Sequence, residues 1–146
     1  MNSSKHTIAF IDDEKTYAMR YVRELVAKFD THYFDSASQG LKFCQDHPTL
    51  SAIVLDVMMP PPAEVDMEDV KDGLETGIWV LGKLRSHIID KSIGVIILSN
   101  RNIDLIREAV AAVGIPVENI NTLVKIDTPS WTLPIRVQTL IDNIRG

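Results

Sequence analysis

Four apolar runs in this 146-residue chain each end on a side chain with chemistry to offer. "TIAFI" (7–11) runs into Asp12 and Asp13, "AIVL" (52–55) into Asp56, "IGVIIL" (93–98) into Ser99, and "NTLV" (121–124) into Lys125. A weaker run, "THYF" (31–34), ends at Asp35 beside Ser36. Brought together, three carboxylates repel one another and call for a cation. Mg²⁺ suits such a set, because it takes one or two carboxylates, keeps several waters and leaves room for phosphate oxygens. A lysine and a hydroxyl opposite the metal complete an anion site. A carboxylate can itself act as nucleophile and carry an aspartyl phosphate, and that transfer needs mainly positioning and charge neutralisation. Asp56, closing the central strand, is the expected phosphoacceptor. Singly, each residue has a plainer use: Asp12 or Asp13 as a helix cap, Ser99 in a turn, Lys125 as a solvated lysine. The joint pattern, one chemical type per strand end, is what points to a site.

For these side chains to meet, the apolar runs must end on one edge. Apolar residues at Ala18, Tyr21, Val22, Leu25, Val26 and Phe29 mark a one-sided helix between Glu14 and Phe29. Ser36 to Asp46 predicts a short helix closed by Pro48. Ile78, Leu81, Leu84, Arg85 and Ile88 share the next helix, and Ile106, Ala109, Val110 and Val113 the one after. Pro134 suits the first turn of a last helix that runs to Ile144. Strand and helix thus alternate five times. Strong strands without polar alternation are buried on both faces, as in a parallel sheet. Right-handed crossovers then give a doubly wound, three-layer α/β fold, expected as one domain over residues 1–146. Ligands bind such sheets at the carboxyl edge, where strand order reverses. With the order 2-1-3-4-5, Asp12, Asp13, Asp56, Ser99 and Lys125 converge.

Composition narrows the function classes. A net charge of -5 and a pI near 5.3 argue against direct contact with nucleic acid. A single cysteine, Cys44, excludes an internal disulfide framework and suits a reducing cytoplasm. No apolar run approaches the roughly 18 residues of a membrane span, and "MNSSKHTIAF" has no leader pattern, so the chain is expected to start here. Residues 77–83 match G-x-x-x-x-G-K, but Leu84 stands where a P-loop needs Ser or Thr, and "IWVL" reads as a helix face. His6, His32, His47 and His87 show no metal-ligand spacing. Trp79 and Trp131 are expected to pack, with Trp131 suited to an interface if exposed.

"FIDDEK", "IVLDVMMP", "VIILSN" and "LVK" resemble, in order, the four signatures of the response-regulator receiver domain of two-component signalling, and they span nearly the whole chain. The resemblance implies a flavodoxin-like five-stranded sandwich. It implies that Asp56 accepts phosphate from a histidine kinase or histidine phosphotransfer protein. It also implies that Asp12, Asp13, Asp56 and the backbone carbonyl of Met58 hold Mg²⁺, and that Ser99 and Lys125 contact phosphoryl oxygens. In that family phosphorylation shifts a two-state equilibrium read by a downstream protein or a fused output domain. Such a domain catalyses only its own phosphorylation and dephosphorylation. Haloacid-dehalogenase-like enzymes place a second aspartate two residues after the first; Met58 occupies that position here, so a metabolic enzyme is not expected. The alternative is a pseudo-receiver, an interaction module acting without phosphorylation.

Four features depart from the pattern. Ile126 stands where the family usually has proline after the lysine. Thr122 stands where it usually has an aromatic. Asn100, instead of a small residue, follows Ser99. Finally, residues 60–75 form an acidic insertion, sixteen residues where βα connections usually have roughly 2–6. Its acids are Glu64, Asp66, Glu68, Asp69, Asp72 and Glu75, with Lys71 among them. It reads either as a solvated, mobile loop or as a lid or docking element beside the site. Gly73 or Gly77 takes the place of the family's turn glycine, with Gly77 preferred because "GIWVLGKLR" runs straight into the helix. The chain ends just past the fifth helix, as a stand-alone regulator or the first domain of a longer protein.

Overall fold

Three strands, β1 (Thr7–Ile11), β3 (Leu50–Leu55) and β4 (Gly94–Ser99), are buried at every position in the computed structural model, which describes residues 5–71 and 73–145. They form the middle of a five-stranded parallel sheet, and β2 (Asp30–Phe34) and β5 (Ile120–Val124), only partly buried, are its edges. The strand order is β2-β1-β3-β4-β5, as expected from the sequence. Successive side chains of a strand point to opposite faces, so the sheet supports two cores. Ala9, Ile11, Ile53, Leu55, Val95 and Ile97 pack beneath α2 (Ala37–Asp46), α3 (Thr76–Lys91) and α4 (Ile103–Val113). Ile8, Phe10, Ala52, Val54, Ile96 and Leu98 pack against α1 (Lys15–Val26) and α5 (Leu133–Arg145). The result is the three-layer sandwich. The weak run "THYF" is a strand because it pairs with β1, not because of its own pattern.

The insertion is folded. A 3-10 turn, Met67–Val70, sits in its middle, and Val70 is fully buried beneath it. Consecutive turns carry the chain onward: Glu75 N–H donates to Val70 O at 2.9 Å, and Gly73 N–H to the same carbonyl at 3.1 Å. The base is closed by Met59 N–H donating to Gly73 O (3.1 Å) and by the buried Thr76 hydroxyl donating to Met59 O (2.5 Å). Lys71 and Glu75 form an ion pair at 2.9 Å. The acids Glu64, Asp66, Glu68 and Asp69 face solvent; Asp72 lies outside the described residues.

The two candidate glycines have different tasks. Gly73 adopts φ +92°, a left-handed conformation that lets the insertion turn back toward Met59. Gly77, in the first turn of α3, presses on the strand end that carries Asp56. Its N–H donates to Val57 O at 2.9 Å, and a Cβ there would lie 2.4 Å from Asp56 O and 2.7 Å from Val57 Cα. Both are backbone atoms with no room to yield. Gly82, on the exposed side of the same helix, would meet nothing within 4 Å. Gly77→Ala is therefore expected to cost about 3 kcal/mol or more. Gly82→Ala should gain about 0.5–1 kcal/mol. Urea unfolding of the two variants beside the parent checks both signs.

Candidate functional site

The three central strands, β1, β3 and β4, present their polar side chains through the same local device. Asp12 Oδ1 accepts from Glu14 N–H at 2.9 Å, Asp56 Oδ1 from Met58 N–H at 3.2 Å, and Ser99 Oγ from Arg101 N–H at 3.3 Å. In every case a side-chain oxygen takes the backbone N–H two residues on, the turn that Asp and Ser favour when a strand stops. Asp12 thus serves the turn into α1 with one oxygen and keeps the other free for the site. The turn uses one atom of each group and fixes its direction.

Lys125, entering from the end of β5, joins the two buried acids. Its Nζ lies 2.8 Å from Asp12 Oδ2 and 2.9 Å from Asp56 Oδ2, and the three side chains are 9%, 2% and 8% exposed. Asp13 stands on the exposed rim, and one carboxylate oxygen from each of Asp12, Asp13 and Asp56 falls within 4.8 Å of the others. The cleft over them holds about 510 Å³ and is lined by Asp13, Glu14, Asp56, Met58, Ser99, Asn100 and Lys125. Its far wall is the insertion, through Pro60, Pro61, Met67, Gly73 and Leu74. The insertion's backbone and apolar side chains therefore border the site, while its described acids do not. Asp35 is exposed and stands outside this cluster, and Ser36 caps α2 by accepting from Gln39 N–H.

The electrostatics follow from two acids sharing one lysine. Burial pushes Asp12 above the ordinary carboxylate range; the hydrogen bond from Lys125 opposes this, and the nearby Asp56 charge adds to the rise. Asp13 is raised too, first by desolvation and then by the Asp56 charge. For Lys125, burial favours loss of the proton, but its bonds to Asp12 and Asp56 and their charges outweigh it and hold the ammonium well above its usual value. One monovalent cation is too little for three carboxylates, so the donor set fits a divalent ion. Mg²⁺ at Asp12, Asp13 and Asp56 would match its preference for a few hard oxygen ligands and open positions, and Met58, the further ligand implied by the family resemblance, lines the same cleft.

Several supporting residues left no trace in the sequence pattern. The Tyr33 hydroxyl donates to Asp12 O at 2.6 Å, and desolvation followed by the surrounding carboxylates pushes its own pKa up to about 12. The Tyr21 hydroxyl donates to Thr128 O at 2.9 Å and to Lys125 O at 3.2 Å. Both tyrosines sit at apolar-pattern positions, indistinguishable from packing residues until the strand ends are placed. Arg101 ties the β4 end to the insertion by donating from Nη1 to Leu74 O at 2.8 Å. The two departures Asn100 and Ile126 touch one another: Asn100 Oδ1 accepts from Ile126 N–H at 2.9 Å. That N–H is the one a proline would lack. Trp131 is 65% exposed, whereas Trp79 packs against the core.

No protein-family model and no curated protein matches the chain. Solved structures do. The receiver domain of the Francisella response regulator 1452 aligns over 94% of this chain and 97% of its own, with a TM-score of 0.68 at 24% identity. The signal receiver domain of an HD domain-containing protein from Pseudomonas fluorescens aligns over 99% and 93%, with a TM-score of 0.72 at 15% identity. The Salmonella typhimurium response regulator RcsB aligns over 96% of this chain but 60% of its own, with a TM-score of 0.68 at 17% identity. The fold is that of a receiver domain.

Removing the lysine tests the electrostatics. Lys125→Ala leaves Asp12 and Asp56 buried without a cation and should destabilise the metal-free protein by about 3 kcal/mol at neutral pH, modest for a broken buried pair because the cleft is open to water. The sign with pH follows from the shifts. Lys125, raised in the fold, contributes stability present below 10.5 and lost only as pH rises through its still higher folded value. Asp12 and Asp13, also raised, favour the fold below 3.8, and this is lost as pH rises through their folded values. The variant's deficit should shrink on acidification, and Mg²⁺ should reduce it at pH 7. Thermal melts across pH, with and without Mg²⁺, measure both.

Proposed function

We propose that this chain is a phosphorylation-dependent switch of a two-component phosphorelay, with Asp56 as the phosphoacceptor. The observation that carries the reading is Lys125 Nζ bridging Asp12 and Asp56 beneath a solvent-open cleft lined by Asp13 and Ser99. A merely structural salt bridge has no use for an open cleft or a third carboxylate. The receiver fold shared with response regulators supports the same reading.

In the proposed step a carboxylate oxygen of Asp56 attacks the phosphorus of a phosphohistidine on a histidine kinase or phosphotransfer protein. The P–O bond forms, the P–N bond breaks, and its electron pair stays on the imidazole, which takes a proton from water. Asp56 is held for attack by the Met58 N–H on one oxygen and by Lys125 on the other. Lys125 then follows the charge from Asp56 Oδ2 to a phosphoryl oxygen. The Ser99 hydroxyl, whose oxygen is anchored by Arg101 N–H, keeps its proton free to donate to a second phosphoryl oxygen. When bound by Asp12, Asp13, Asp56 and the Met58 carbonyl, Mg²⁺ supplies neutralising charge to the phosphoryl oxygens. Signalling then runs through contacts with a downstream protein or a fused output domain. Among the described residues no helix is long and apolar enough to cross a membrane, and we place the switch in the cytoplasm. It acts on itself and turns over no outside substrate.

An acyl phosphate or phosphoramidate with Mg²⁺ should add one phosphoryl group by intact-protein mass spectrometry. Asp56→Asn should abolish the uptake, and chelation of Mg²⁺ should reduce it at least a hundredfold, the order contributed by one strong electrostatic stabiliser. Absence of uptake from small donors and from candidate kinases alike would overturn the reading.

A further inference from the structure

The peptide joining Lys125 to Ile126 is gripped at both ends. Its carbonyl, Lys125 O, accepts from the Tyr21 hydroxyl at 3.2 Å and from Thr128 N–H at 3.1 Å. Its N–H, that of Ile126, donates to Asn100 Oδ1 at 2.9 Å. A peptide unit is planar, so holding both ends fixes the plane next to Lys125 Cα, from which the side chain starts toward Asp12 and Asp56. Three elements meet on this one unit: α1 through Tyr21, the β4 end through Asn100 and the start of α5's approach through Thr128. Asn100 borders the acidic cleft on one side and a second hollow, with Tyr17, Tyr21 and Ile126, on the other. Its side chain is exposed, as is that of Ile126. An exposed hydrogen bond between loop residues adds little to folding, which leaves geometry as its use.

We propose that Asn100 is a positioning residue for the phosphoryl-transfer site, holding the Lys125–Ile126 peptide so that the lysine ammonium reaches both carboxylates. This inference rests on the phosphoacceptor reading given above. Asn100 touches no reacting atom in it; it acts through Lys125. The chain thereby couples two unusual residues: the N–H that Ile126 brings is used by the amide that Asn100 brings, and neither works without the other.

The test is a cycle of Asn100→Ala and Lys125→Ala, singly and combined, with phosphorylation by an acyl phosphate and Mg²⁺ as one readout. The second readout is the Ile126 amide and Lys125 ammonium resonances by NMR, recorded without phosphate. Asn100→Ala is expected to slow phosphorylation roughly tenfold by misplacing the lysine, and to add nothing once Lys125 is already alanine. The Ile126 amide proton should move upfield and exchange faster, and the Lys125 ammonium resonance should shift. Asn100→Asp, which keeps the acceptor oxygen, should restore the Ile126 amide position. A full additional loss in the double variant, or an unmoved Lys125 resonance in Asn100→Ala, would overturn the positioning role. If the unaltered protein itself takes no phosphate, the phosphoacceptor reading fails, and the Lys125 resonance alone decides whether Asn100 positions the lysine.

Discussion

Two carboxylates buried side by side at the floor of a cleft need a cation between them, and that requirement organises this molecule. Asp12 and Asp56 end neighbouring strands, and their Oδ2 atoms lie within 2.8 and 2.9 Å of the same ammonium. The lysine that answers them comes from the far edge of the sheet, two strands away from β3. Parallel pairing is what brings these residues to one edge, and the twin cores above and below are what hold the pairing. The arrangement stays short of neutrality, since Asp13 adds a third charge at the rim. The site is thus built with an excess of negative charge, the kind of excess that a divalent cation would relieve.

The repeated turn at the ends of β1, β3 and β4 complements this electrostatic frame. Asp12, Asp56 and Ser99 each accept the N–H two residues on. Side chains anchored in this way have little rotameric freedom left to lose when a ligand arrives. The same turns carry the backbone off the sheet edge toward the following segment, so one hydrogen bond per strand both ends the strand and aims its functional group.

The layered fold was legible because burial on both faces leaves a strong mark: unbroken apolar runs in β1, β3 and β4, and one-sided helices between them. The site was legible for a related reason, since Asp12, Asp13, Asp56, Ser99 and Lys125 stand out against the runs they terminate. Residues that act from within a packing pattern were not legible. Tyr21 and Tyr33 look like core residues, and only their hydroxyls reach Lys125 O and Asp12 O. The bond between Asn100 and Ile126 joins loops 26 residues apart in sequence, with no periodicity to announce it. In the insertion, the run of acids carries no mark of what fixes the segment: a fully buried Val70, a left-handed Gly73 and the Thr76 hydroxyl.

The Met59–Gly73 hydrogen bond at the base of the insertion has a consequence for the chain's tolerance of change. The segment leaves the sheet edge and returns to it at the same place, and between its ends the buried Val70 and the Arg101 bond to Leu74 O hold it to the rest of the fold, while Ala63, Glu64, Asp66, Glu68 and Asp69 lie in the open. Loop closure entropy grows just logarithmically with length, roughly 0.6 kcal/mol for each doubling. Extra residues, or an entire small domain, grafted among its exposed acids would therefore leave β3 and α3 in register. The molecule carries a port beside its acidic cleft, open at the exposed acids and anchored on either side of them.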